Sequence, residues 1–211
     1  MDLFRALVTL DDVVLAVGLR TADDALDLSK LSRQVYAFEP NPFAFARVKK
    51  AVRKRKNVQL FDMGAGKREE TFGLRLPELA DKPQGARSAS VQLGRLDKVK
   101  FGVPPTCLVL NCGGSELEAL SGADGLVSSG ALRTVLLKSH HLPDGRETGH
   151  EATLWLLEHG FRTEPRKAED GSLWIIGRSL RSAHDSQSDR EVPRASGVDT
   201  KGGSDVPNER R

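Results

Sequence analysis

Short, unbroken apolar runs alternate along this chain with longer stretches in which apolar residues recur every three or four positions. The runs are residues 13–17 (VVLAV), 35–38 (VYAF), 57–62 (NVQLFD), 107–110 (CLVL) and 131–137 (ALRTVLL). Runs this short, bounded by polar or Gly/Pro residues, mark strands buried on both faces of a parallel sheet. Between them the spacing predicts helices: a short one over residues 2–10, and one carrying Ala25, Leu28 and Leu31 on one side. A third runs from near Phe43 to about Arg55, and a short one begins at 116–120 and stops at Gly122. The last is an amphipathic helix over 150–159 that Gly160 closes. The segment Glu39-Pro40-Asn41-Pro42 stops the second strand, because proline cannot donate to a ladder, and releases the chain into the following helix. Strand and helix in such alternation predict a single α/β domain of Rossmann type, with a parallel sheet and right-handed crossovers. Residues 70–76 alternate and read as an extra strand or hairpin arm, and the polar stretch 77–89 reads as a loop over the sheet. Residues 161–163 and 173–176 supply two final strands around an Asp170-Gly171 turn.

The pattern stops near Leu180. Residues 181–211 contain no aromatic residue, Leu or Ile. A segment of that composition cannot bury enough apolar surface to offset its ordering entropy, so residues 1–180 are expected to form the domain and 181–211 a disordered tail. The net charge of +3 is too small to imply a polyanionic partner by itself. No apolar run approaches the roughly 18 residues needed to span a bilayer, and the first residues carry no signal-peptide pattern. Cys107 and Cys112 fall five positions apart on one expected strand. At a rise of about 3.3 Å per residue they are too distant to bridge, so reduced thiols and a cytoplasmic location are expected.

Ligands bind open parallel sheets at the carboxyl ends of the strands. Gly18 follows the first such strand, either as a plain turn or as part of a phosphate or amino-acid cradle. Glu39 closes the second strand, 21 positions beyond Gly18. At that spacing an acid reaches the ribose hydroxyls of a dinucleotide or of S-adenosylmethionine; the alternative is a solvated acid at a strand end.

From Val35 to Pro42 the sequence VYAFEPNP resembles the second-strand motif of the FkbM-type methyltransferases. The likeness continues in register through residues 57–60 (NVQL) to Gly66, through 95–99 (RLDKV), and through Gly114, Glu116, Leu117, Leu120 and Gly122. It covers roughly residues 12–178. The resemblance implies a Rossmann-like class I methyltransferase fold: a mostly parallel seven-strand sheet, last strand antiparallel, with helices on both faces. It also implies S-adenosylmethionine as cofactor and methylation of a hydroxyl on a small molecule or sugar. Gly18, Glu39, Asn41 and Asp62 are then the cofactor-binding set. Glu39 would hold the ribose, the Gly18 loop the methionine moiety, and Asp62 or its neighbours the adenine edge.

The chain departs from the family pattern at named places. Ala16 stands where the family has an acid before the glycine loop, and Ala22 where it has a second glycine. Val109, Asn111 and Gly113 replace a lysine, an aspartate and a glutamate, and Lys138 replaces the acid ending strand five. Asn111 keeps an aspartate's shape but does not take up a proton at neutral pH. His140 and His141, after strand five, are either a replacement base or ordinary loop residues. Asn111, His140 and His141 are therefore the candidate catalytic positions, and no metal is expected. Arg47, Lys49, Lys50, Arg53, Lys54, Arg55 and Lys56 put seven cations in ten residues. They form either a solvated helix face or a weak polyanion contact. Two function classes follow: a methyltransferase, or a non-catalytic methyltransferase-like domain that binds a protein or nucleic acid.

Overall fold

The computed structural model describes residues 3–19, 21–76 and 88–181 of the 211-residue chain. In chain order the first half comprises α1 (Leu3–Leu7), β1 (Val13–Val17), α2 (Ala22–Leu31), β2 (Gln34–Phe38), α3 (Pro42–Val52), β3 (Val58–Phe61), β4 (Gly64–Ala65) and β5 (Glu70–Arg75). The second half comprises β6 (Ser88–Gly94), β7 (Cys107–Leu110), α4 (Glu116–Gly122), α5 (Asp124–Ser128), β8 (Thr134–Lys138), α6 (Thr148–Glu158), β9 (Phe161–Lys167) and β10 (Leu173–Ser179). Seven strands form one sheet in the order β3-β2-β1-β7-β8-β10-β9. Neighbours among the first five are parallel, and β10 runs antiparallel to both β8 and β9. This is the seven-strand arrangement expected above, last strand reversed.

The two-residue period of a strand explains why the central runs are unbroken. Val13, Leu15 and Val17 of β1 point to one face of the sheet and Val14 and Ala16 to the other, and all five are buried. On the first face Ala119, Leu120, Val127 and Leu156 of α4, α5 and α6 cover them. On the second, Leu3, Leu7, Leu28, Val48 and Val52 of α1, α2 and α3 do so. Each fully buried Leu or Val contributes about 1.5–3 kcal/mol relative to exposure.

Several boundaries differ from those the pattern suggests. β3 is an edge strand and only half-buried. α3 ends at Val52 instead of near Arg55. The four cations that follow have no apolar side chain to bury, and Arg55 N closes a turn on Val52 O at 2.7 Å. β8 begins at Thr134 because the amides of Arg133 and Thr134 both donate to Thr106 O, just below the start of β7. A second sheet, β4-β6-β5, packs Ala65 against the first face. β5 is the expected arm. Its partner β6 takes up residues 88–89 of the expected loop and was not legible, because only Val91 and Gly94 in it are buried. Residues 77–87 of that loop, and the expected tail beyond Arg181, lie outside the described residues.

At the amino edge of the sheet Asp12 ties three elements together. Its carboxylate accepts from Thr9 N and Oγ1 (both 2.9 Å), Thr106 Oγ1 (2.8 Å) and Arg133 Nη2 (3.0 Å). Burial acts to raise its pKa, but these donors and the Arg133 charge hold it below the usual carboxylate value. No helix among the described residues is long and apolar enough to cross a membrane.

Candidate active site

The carboxyl edge of the parallel strands gathers most of the residues singled out above. β1 leaves the sheet at Gly18, whose amide donates to Phe38 O at 2.9 Å, while Asn111 N donates to Val17 O at 3.0 Å. Gly18 has φ +77°, and a Cβ there would lie 2.2 Å from Asn111 O. The turn after β1 thus rests directly on the turn after β7, and only glycine permits it. Asn111 Oδ1 is buried beside this contact with no hydrogen-bond partner among the described residues. Arg20 lies outside the described residues. Thr21 caps α2 by accepting from Asp24 N, and Ala22 is that helix's first residue.

Beside Gly18, β2 ends at Glu39. The register pairs Val17 with Phe38, so Gly18 and Glu39 are the next positions on adjacent strands. Glu39 is only 4% exposed, more enclosed than a solvated strand-end acid, and its Oε1 accepts from Asn41 N at 2.8 Å. Asn41 in turn caps α3, accepting from Phe43 N (2.9 Å) and Ala44 N (3.3 Å), with Pro42 at the first helical position. The Glu-Pro-Asn-Pro element is therefore a strand stop, a buried carboxylate and a helix cap in four residues. Asp62 follows β3 and is exposed.

Across the sheet the structure makes a pairing that the sequence did not show. Glu116 opens α4 and is completely buried. Its carboxylate accepts from Cys112 N (2.8 Å) and Gly114 N (3.1 Å), folding the loop after β7 around itself. Its Oε1 also lies 2.9 Å from Nδ1 of His140, a close electrostatic contact rather than a well-aligned hydrogen bond. Burial acts to raise the Glu116 pKa, but His140 and the loop amides outweigh it and hold the carboxyl below its ordinary value. Thr148 fixes the His140 backbone, its Oγ1 accepting from His140 N and its amide donating to His140 O, both at 3.0 Å. His141 faces outward, its side chain 83% exposed and 3.2 Å from Glu147. A separation of 24 positions hid the Glu116–His140 pairing. The available signal was Glu116 itself, read only as part of a glycine-acid-leucine pattern.

At the positions where the family has other charges, Ala16 and Val109 are core residues and Lys138 sits 3.6 Å from Asp170. Cys107 and Cys112 are free thiols. Burial, and then the nearby Glu116, push the Cys112 thiol well up, so it stays protonated and is a poor nucleophile. Among the described residues no three His, Cys, Asp or Glu side chains are placed to hold a metal ion. Away from this edge, Arg47, Lys49, Lys50, Arg53, Lys54, Arg55 and Lys56 are all exposed along α3 and the turn after it.

No family model matches the chain, and no curated protein matches its sequence. Its fold does match solved structures. The methyltransferase FkbM from Methylobacillus flagellatus superposes with a TM-score of 0.64 and 14% identity, over 84% of this chain and 46% of that one. An rRNA methylase from Streptococcus thermophilus gives 0.53 at 13% identity, covering 84% and 93% of the two chains. The precorrin-6y C5,15-methyltransferase from Geobacter metallireducens gives 0.51 at 18% identity, covering 82% of each. This chain thus spans less than half the length of the FkbM structure it matches. What it shares with all three is the Rossmann-like α/β methyltransferase fold.

Proposed function

We propose that this chain is a cytoplasmic S-adenosylmethionine-dependent methyltransferase of the FkbM-like group, transferring methyl to a hydroxyl oxygen on a small molecule, a sugar or a sugar-bearing acceptor. The observation that carries the reading is Glu39, a buried carboxylate at the end of β2 beside the Gly18 turn, in a methyltransferase fold. A carboxylate there is the chemistry a vicinal diol requires, since it can accept from both hydroxyls. The buried, unpartnered Asn111 Oδ1 fits the same group, offering an acceptor to an ammonium on the other side of Gly18. When bound, S-adenosylmethionine supplies a methyl carbon on a sulfonium, and transfer breaks that C–S bond as a C–O bond forms.

The chain's own residues divide the work. Glu39 holds the ribose, Asn41 fixes Glu39 through its amide, and Asp62 stands by the adenine edge. The Gly18 turn and Asn111 receive the methionine moiety. His140 takes the acceptor's hydroxyl proton, with Glu116 as the positioning residue at Nδ1, which leaves Nε2 as the proton-accepting nitrogen. His141, turned to solvent beside Glu147, has no part in this scheme.

Calorimetry with S-adenosylmethionine and its demethylated product tests the reading. Wild type should bind, and Glu39→Gln should bind about tenfold or more weakly, because a charge-assisted hydrogen bond contributes roughly 1.5–3 kcal/mol and 1.4 kcal/mol is a factor of ten. Circular dichroism should show the fold retained, since a Gln oxygen can still accept from Asn41 N. Absence of heat from wild type at millimolar cofactor would instead favour a non-catalytic scaffold. Equal binding by Glu39→Gln would show the ribose assignment to be wrong.

A further inference from the structure

The run of cations after Phe43 plays no part in that scheme, and the structure gives it a definite shape. Ala44, Val48 and Val52 form the buried side of α3. At 100° per residue, Phe43, Arg47 and Lys50 (i, i+4, i+7) then share the outward side, and Lys49 and Arg53 flank it. Lys54, Arg55 and Lys56 follow in the turn below and are exposed. Lys50, Arg53, Lys54, Arg55 and Lys56 make no ion pair among the described residues, and Lys49 contacts only the face of Phe45, at 5.8 Å. Two cations in the last turn would satisfy the helix dipole; this stripe has far more. It runs about 15 Å up the helix and ends, next to the candidate active site, on Phe43. Phe43 is 40% exposed and only four residues past Glu39.

We propose that this outward face of α3 binds a single strand of RNA, the cations tracking its phosphates and Phe43 stacking a base at the mouth of the crevice. Exposed cations in a row with an exposed aromatic at one end are what single-strand binding uses. A membrane surface fits poorly, because the apolar side of α3 is already buried in the core and only charge faces outward. RNA rather than DNA follows from the hydroxyl acceptor proposed above, since every ribose of the strand carries a 2′-hydroxyl. That last step rests on the methyltransferase reading; binding of the strand does not.

The test is fluorescence anisotropy of the full chain with a labelled, unstructured RNA oligonucleotide across a salt series. Calorimetry with S-adenosylmethionine is run on the same preparations. For about four phosphate contacts, log K should fall against log salt with a slope near −3, a loss of roughly sixtyfold between 50 and 200 mM. Lys50→Glu combined with Lys54→Glu should make the slope shallower by about 1.4 and weaken binding at least about tenfold. Phe43→Ala should weaken it about tenfold with the slope unchanged, since it removes a stack and no charge. All three side chains are exposed, so the fold and the heat of cofactor binding should stay as in wild type. The proposal is overturned if the double variant binds RNA as wild type does. It is equally overturned if phosphatidylserine-containing vesicles or duplex RNA bind as tightly as the single strand. RNA binding without cofactor heat would leave this inference standing and sink the proposed activity; cofactor heat without RNA binding would do the reverse.

Discussion

A methyl group at position 18 would meet the Asn111 carbonyl oxygen at 2.2 Å, on a residue whose φ of +77° already disfavours any side chain. Gly18→Ala should therefore cost about 3 kcal/mol, combining left-handed backbone strain with overpacking. The urea midpoint measures it, and an unchanged midpoint would show that the two turns separate freely. The sequence marked Gly18 as a turn but could not say why glycine is needed, because the clashing atom is 93 residues away. Glu39 was legible for the opposite reason: its neighbours in the strand stop and helix cap are local in sequence. His140 and His141 looked equivalent as adjacent residues. Their difference comes from Glu116 on one side and solvent on the other.

Among the elements, α4 shows how tightly the site's supports are packed. A Cβ on Gly122 would lie 2.2 Å from Gly66 O, so the end of this helix sits directly on the backbone that follows β4. At the other end of the same helix is Glu116, which holds His140 and the loop after β7. Gly122→Ala should push α4 off β4 and destabilise the protein by about 2 kcal/mol. Ser121→Ala at the half-buried neighbouring position, which loses only a bond to Leu117 O of the same helix, should stay within about 0.5 kcal/mol. Thermal or urea denaturation compares the two, and equal effects would contradict the close packing. Asp97 has a parallel role. Its carboxylate pairs with Arg95 and accepts from Gly125 N at 3.0 Å, so the Arg-Leu-Asp signature ties the turn after β6 to the start of α5.

For the molecule as a whole, two of the buried acids stand at opposite edges of the sheet, Asp12 at the amino edge and Glu116 at the carboxyl edge. Both have pKa values below their ordinary ones in the folded state. A depressed carboxylate stabilises the fold above its unfolded pKa, about 3.9 for Asp and 4.3 for Glu. That contribution disappears as pH falls through the folded value. Stability should thus be flat from pH 7 to about 5 and decline below 4. Asp12→Asn should be less stable than wild type by about 1–3 kcal/mol at pH 6, and the gap should close as the pH drops below 4. Urea midpoints across this range decide it. A gap that stays constant with pH would mean that Asp12 acts through shape and not through charge.

The sequence by itself determined the fold class, the central strands of the sheet, the helix that begins after Asn41, and Glu39 as the acid beside the first glycine turn. Each rests on short-range physics: a two-residue or 3.6-residue apolar period, proline's missing donor, and a cap that reaches its own helix. Tertiary structure alone decided that β3 is a half-exposed edge, that β6 pairs with β5, that Gly18 lies against Asn111, and that Glu116 meets His140. Those contacts join residues far apart in the chain. They follow from how the crossovers stack strands and helices, and no local period encodes which distant side chain will be waiting at the end of a strand.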